Sequence, residues 1–242
     1  HFADFMGVAM DELYNQMAKI RYMFGGQCTV PVVVRAPDGL SNQAAAQHSQ
    51  SIEAWFMHVP GVKVVAPSNP ADAKGLLKAA IRDDNPVIYF ENKILYREAG
   101  PVPEGELMVP IGKAKVVEEG TDVTIISYSI MMKTALEVAE ELKKDGISAE
   151  VIDLRTISPY DEETILESVK KTHRLVIVHE ATKQGGVGAE ISAMVAEKAI
   201  DYLDAPILRY GSPFVPVPFS PTLEDAYRIK PKDIVDGIKK MF

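Results

Sequence analysis

Among the groups in this chain that could do chemistry, one imidazole stands out. His48 lies in Ala44-Ala45-Ala46-Gln47-His48-Ser49-Gln50, a stretch of small residues that lets another backbone or a cofactor come close. The run before it, 30–35, reads as a strand, and the run after it, 49–58, reads as a helix. Loops that follow buried strands are where α/β proteins carry their sites. An imidazole with an unperturbed pKa of about 6.5 both takes and gives a proton near neutral pH. A helix starting at Ser49 would place its positive end beside His48 and disfavour the imidazolium. The competing reading is an ordinary surface or satisfied core histidine.

Other candidates carry less. Gln184-Gly185-Gly186-Val187-Gly188-Ala189-Glu190 follows a strand and opens a helix, but it lacks the Gly-Lys-Ser/Thr ending of a phosphate loop. It also lacks the third glycine of the dinucleotide fingerprint. Its glycines are expected to allow a tight turn and close packing of helix on sheet. His173 and His179 do not have metal-ligand spacing on a helix, and His58 ends a helix, where a cation is mildly favoured. His1 reads as a cloning remnant. The stretch 80–86, with Asp83 and Asn85, ends a helix in a turn whose free carbonyls could collect on a hard cation or simply make the turn. Cys28 is the single cysteine, so neither an internal disulfide nor a thiolate metal cluster is available.

These groups must be positioned by a regular α/β frame. Strands are expected at 30–35, 62–66, 87–91, 113–117, 123–127, 149–154, 175–179 and 207–209. Helices are expected at 6–22, 49–58, 70–82, 132–144, 161–172 and 188–201, with two more starting near Ser220 and Lys230. This alternation predicts parallel βαβ units, and the first residues read as the end of a strand. Asn69-Pro70 gives a cap and a first-turn proline. In Ser158-Pro159-Tyr160-Asp161 the serine is expected to cap the next helix, with Asp161 at its third position. The stretch 92–119 is proline-bearing and aperiodic. The expected organisation is therefore a first unit at 1–100, a linker at 101–112 and a second unit at 113–242.

Composition narrows the function. Of 242 residues, 47% are apolar and 25% charged, which fits a globular chain with real cores. The net charge of −8 argues against binding a phosphate backbone. No run reaches the ~18–20 apolar residues a membrane span needs.

Several motifs resemble one family. Phe2-Ala-Asp-Phe5, Asn15-Gln-Met-Ala-Lys-Ile-Arg-Tyr-Met-Phe-Gly-Gly26, Ala46-Gln-His-Ser-Gln50 and His58-Val-Pro-Gly-Val-Lys-Val-Val65 are similar to the beta subunit of thiamine-diphosphate-dependent 2-oxo acid dehydrogenases. So are Asp72-Ala-Lys-Gly-Leu-Leu-Lys-Ala-Ala-Ile-Arg-Asp83 and Gly185-Gly-Val-Gly-Ala-Glu-Ile191. The resemblance runs along the whole chain. It implies two mainly parallel α/β domains, an N-terminally incomplete pyrimidine-binding domain and a transketolase C-terminal-type domain. It further implies a heterotetramer of two alpha and two beta subunits with thiamine diphosphate at the alpha–beta interface and magnesium held by the alpha subunit. In that setting His48 orients the 2-oxo acid intermediate and assists proton transfer in acylating a lipoyl arm. Phe5 packs on the aminopyrimidine. Val32, Ala80, Ile81, Asp83 and Asn85 match a potassium site of some members. The family's cofactor-activating glutamate lies in a segment expected to precede residue 1, and neither Glu12 nor Glu53 is assigned its role.

The function expected from the resemblance is oxidative decarboxylation of pyruvate or a branched-chain 2-oxo acid, with acyl transfer to a lipoyl domain, in the cytoplasm or a mitochondrial matrix. An acetoin dehydrogenase beta subunit is the alternative. So is a non-catalytic module that binds the peripheral-subunit-binding domain of an acyltransferase core. A single-chain transketolase is excluded, because 242 residues leave no room for the diphosphate domain.

Overall fold

The computed structural model describes residues 1–242. Two sheets form the frame. The first contains β1 (Val33–Asp38), β2 (Lys63–Val65), β3 (Val87–Asn92) and β7 (Thr156–Ser158), in the order β1-β3-β2-β7. The second contains β4 (Lys115–Glu118), β5 (Val123–Ser127), β6 (Ala149–Asp153), β8 (Leu175–Thr182) and β9 (Leu208–Ser212), in the order β4-β6-β5-β8-β9. Pairing is parallel except at two edges, where β7 runs against β2 and β4 against β6. Strands β5 and β6 are buried at every position, as expected of central strands in a sheet covered on both faces.

The helices are α1 (Met17–Met23), α2 (Glu53–Met57), α3 (Pro70–Ile81), α4 (Met131–Lys144), α5 (Glu162–Thr172), α6 (Val187–Ala199), α7 (Pro221–Tyr227) and α8 (Pro231–Lys239). The cap of α3 is the expected one: Asn69 accepts the Asp72 N–H at 2.9 Å, with Pro70 in the first turn. No helix is long and apolar enough to cross a membrane.

One apolar cluster of 27 buried residues includes Val64, Ile88 and Phe90 from the first sheet and Ile126, Ile152 and Ile177 from the second. The two sheets therefore share a core. Strand β7 adds to this, because it leaves the second half of the chain to pair with β2 (Val64 opposite Ser158).

Four expectations are corrected. The stretch 6–22 is not one α-helix but a 3-10 helix Ala3–Ala9, a π-helix Asp11–Gln16 and then α1. Asp11 accepts from Asn15 and Gln16, four and five residues on, at 2.8 and 3.1 Å, which braces the wider turn. Residues 3–9 are accordingly helical and not the end of a strand. The helix expected at 49–58 begins only at Glu53. Residues 49–51 are used elsewhere: Gln50 N–H donates to Asp4, Gln50 C=O accepts from Gly39, and the Ser51 hydroxyl donates to Glu180. Finally, Asp161 rather than Ser158 caps α5, accepting the Thr164 N–H at 3.4 Å. Ser158 is taken up by β7.

Candidate active site

His48 stands in the long connection from β1 to α2, at the end of the first sheet where β1 and β3 finish. Because α2 starts five residues later and is only five residues long, the helix start expected at Ser49 does not stand beside the imidazole. What surrounds the ring is aromatic. Phe5 meets it edge-on with centroids 5.1 Å apart, and Phe2 does so at 5.8 Å. Both geometries are favourable for aromatic pairs. The Lys93 ammonium sits 4.6 Å from the Phe2 centroid and donates to the His48 carbonyl. Gln50 ties the loop to the N-terminal 3-10 helix through Asp4, from its backbone at 3.0 Å and its side chain at 2.9 Å. His48 and Phe5, far apart in the sequence, are thus brought together.

Three non-glycine residues of this loop have left-handed backbone: Asn42 (φ 54°), Gln43 (φ 70°) and Ala45 (φ 59°). Each such residue costs about 1–2 kcal/mol, so the conformation persists only where other contacts over-determine it.

Beneath the loop lies a group of carboxyls that the sequence motifs do not mark. Asp38 ends β1, Glu53 starts α2 and Glu180 lies on β8; Asp38 and Glu53 are almost fully buried. Burial, reinforced by Glu53 and Glu180, holds the Asp38 carboxyl well above the carboxylate range. Burial lifts Glu53 to about 7, with Glu180 adding to the effect, and Glu180 is also raised by burial. Asp38 Oδ1 and Glu53 Oε2 find no donor elsewhere, the arrangement of two carboxyls sharing a proton. His179 is buried below them, parallel to Tyr128 with ring centroids 6.4 Å apart, and desolvation lowers its pKa to about 4. A cavity of about 380 Å³ opens on the other side of the loop, between Ala46, Gln50, Trp55, Glu180 and Phe214. Sequence reading did not mark Asp38 or Glu180 and named Glu53 only to leave it without a role, because the cluster forms between segments far apart in the chain.

The glycines of 184–190 have the structural role expected of them. A Cβ on Gly186 would lie 2.5 Å from His179 Cε1, and one on Gly188 would lie 3.1 Å from His179 Nε2. They let the start of α6 lie on the imidazole.

Val32, Ala80, Ile81, Asp83 and Asn85 gather at the opposite end of the first sheet, where β1 and β3 begin. Several of their oxygens already have donors. Val32 C=O accepts from Val87 at 2.9 Å, and Ala80 C=O from Asp83 at 3.3 Å. Lys63 sits on one Asp83 oxygen, and Asn85 donates to the other from backbone and side chain, both at 2.9 Å. Burial alone would raise Asp83; Lys63 and Asn85 more than offset it and hold it low. Asn85 Oδ1 accepts from Arg21 at 2.9 Å. The Lys63 ammonium thus balances the Asp83 carboxylate.

Toward thiamine diphosphate, the chain offers an aromatic surface. Phe5 keeps 43% of its surface exposed beside His48, an open aromatic face suited to a planar ring. Nowhere do three His, Cys, Asp or Glu side chains converge to ligate a metal.

Two mixed sheets sharing a core, with a histidine loop at the mouth of the first, define a transketolase-type two-domain α/β protein. Residues 1–99 match the family described as transketolase, pyrimidine binding domain, and residues 112–234 match transketolase, C-terminal domain. The fold is similar to a solved split-gene transketolase described as an inactive beta4 tetramer, with a TM-score of 0.79 and 25% identity over 99% of this chain and 73% of that one. An acetoin:2,6-dichlorophenolindophenol oxidoreductase subunit beta from Cupriavidus necator is 54% identical over 93% of this chain and 67% of its own length. A pyruvate dehydrogenase E1 component subunit beta from Rickettsia felis is 50% identical over 96% of this chain and 72% of its own length. The chain belongs to the E1 beta-subunit family of the thiamine-diphosphate-dependent 2-oxo acid dehydrogenases.

Proposed function

We propose that this chain is the beta component of a 2-oxo acid dehydrogenase. It would act with an alpha subunit to decarboxylate pyruvate or a branched-chain 2-oxo acid and pass the acyl group to a lipoyl domain. The observation that carries the reading is the imidazole of His48 set edge-on to the half-exposed Phe5. Thiamine diphosphate, when bound, supplies the electron sink that decarboxylation of a 2-oxo acid requires. Phe5 would hold its aminopyrimidine ring by an apolar contact. His48, a few ångströms away, would orient the substrate and hold or give the proton exchanged when the lipoyl arm is acylated. Phe2 and Lys93 keep water from one face of that imidazole.

The diphosphate and its magnesium would be held by the alpha subunit. The remaining partners in this reading are a second beta subunit and the lipoyl and peripheral-subunit-binding domains of an acyltransferase core. The domain limits we adopt are 1–100 and 113–242 with a linker at 101–112, and the compartment is the cytoplasm, or the mitochondrial matrix in a eukaryote. The residues Val32, Ala80, Ile81, Asp83 and Asn85 form a potassium site only if Lys63 moves off Asp83. Thermal stabilisation by KCl over NaCl at equal ionic strength is the check, and equal melting in the two salts removes the site.

Acetoin is the alternative substrate, supported by the Cupriavidus necator relative. The deciding experiment is His48→Ala in the alpha–beta assembly. Acyl transfer to a lipoyl domain is expected to fall by about 10²–10⁴-fold, the usual contribution of a general acid–base, with the oligomer unchanged. Normal turnover in the assembled variant would sink the assignment.

A further inference from the structure

The imidazole of His48 makes no hydrogen bond within the chain; its ring touches only aromatic edges. Its place is therefore set by its backbone, and the backbone is tied from outside the loop. Glu180, on β8 of the second sheet, offers the single oxygen Oε2 to three donors: Leu40 N–H at 3.2 Å, the Ser51 hydroxyl at 3.3 Å and the Asn92 side-chain amide at 3.0 Å. Leu40 and Ser51 are the two feet of the loop. Asn92 is next to Lys93, whose ammonium takes the His48 carbonyl.

The crest is held in the same way. Glu224 on α7 accepts Gln43 N–H at 2.5 Å, and Arg228 bridges Glu224 at 2.6 Å to Asn42 at 3.3 Å. Gly39 makes room for this arrangement, because a Cβ there would lie 2.2 Å from Glu180 Oε2. A carboxylate partly removed from water keeps its place when several donors converge on it. Two of these donors belong to the loop that carries His48, and the third adjoins the lysine that holds its carbonyl.

We propose that Glu180 is a positioning residue for His48: it fixes the feet of the histidine loop from the second sheet, with Glu224 holding the crest. This rests on the reading of His48 as the catalytic imidazole. It adds that the second sheet decides where the imidazole stands, so that the site is assembled only when both halves of the chain are docked.

The test uses the full beta chain assembled with its alpha subunit, thiamine diphosphate and magnesium. The substrate is whichever of pyruvate, 3-methyl-2-oxobutanoate or acetoin the unmodified assembly turns over. Glu180→Ala is expected to lower acyl transfer to a lipoyl domain by up to about a hundredfold, the scale of an ångström displacement of a catalytic group. Glu180→Gln, whose amide oxygen still accepts from the three donors, is expected to stay within about threefold of the unmodified enzyme. In a His48→Ala background, Glu180→Ala should cost nothing further, since residues that act through one another are not additive. An unchanged rate in the assembled Glu180→Ala enzyme overturns the proposal, and so does the same loss with and without His48. If Glu180→Ala does not assemble, Glu180→Asp, which withdraws the oxygens by one methylene, is read by the same criteria. If His48→Ala itself leaves turnover unchanged, the catalytic reading of His48 fails on its own. Hydrogen exchange then decides the positioning: faster exchange of the Leu40 and Gln43 amides in Glu180→Ala supports it, and unchanged protection overturns it.

Discussion

Replacing Glu53 with glutamine should stabilise this protein, and only on the alkaline side. Burial raises the Glu53 carboxyl from its ordinary 4.5 to about 7, so the folded chain keeps a proton that the unfolded chain releases. The stability contributed by that proton is fully present below about pH 4.5 and is lost as pH rises through about 7. At roughly 1.4 kcal/mol per pH unit, the shift amounts to about 3 kcal/mol at pH 8. Glutamine never ionises and keeps the shape. Its amide also supplies a donor that does not depend on pH to Asp38 Oδ1, which has no other partner. Urea unfolding of the unmodified and Glu53→Gln chains, followed through Trp55 fluorescence at pH 8 and at pH 4.5, isolates the effect. The expected difference is about 3 kcal/mol in favour of the variant at pH 8, and close to zero at pH 4.5. A difference that is independent of pH, or a variant less stable at pH 8, would refute the buried shared-proton account.

His179 should act in the opposite sense. Its pKa is lowered by desolvation from 6.5 to about 4, so the stability it contributes is present above about 6.5 and lost as pH falls through about 4. A His179→Gln chain should therefore show a flatter decline in melting temperature over that window, whatever its absolute stability. Gly186→Ala would press a Cβ to 2.5 Å from His179 Cε1 and 2.7 Å from the Thr182 carbonyl. It should cost about 1–3 kcal/mol, the usual penalty of overpacking, readable in thermal unfolding. Asp161→Ala removes the cap of α5 and the acceptor for Ala114 N–H at 3.1 Å. A loss of about 1–2 kcal/mol is expected, whereas Asp161→Asn, with one acceptor oxygen for the two amides, should recover only part of it.

How much of this was legible beforehand differs by element. Buried strands such as β5 and β6 were readable to within a residue, because their β-branched apolar residues stand between helical patterns in a βαβ alternation. The cap of α3 was readable because Asn-Pro has few other uses. The helix at 49–58 was misjudged in extent: its first residues have helix-compatible side chains, but their backbone groups bond to Asp4, Gly39 and, through Ser51, Glu180. The cap of α5 was misplaced because Ser158 is drawn into β7, a strand defined only by its distant partner β2. The motif around His48 gave the residue but not its setting.

The sequence by itself determined the α/β alternation, the strands of the core, the helix stops and the candidacy of one histidine and one phenylalanine, since each rests on local periodicity or on a short motif. Tertiary structure alone decided that Phe5 stands against His48 and that α2 begins well after the imidazole. It also decided that a lysine stands on Asp83 and that Glu180 reaches across from the second sheet to hold the histidine loop. These outcomes depend on which backbone donors a distant carboxylate meets, and on how much water is left around it. Both are properties of packing between segments far apart in the chain, and a reading that moves residue by residue has no term for them.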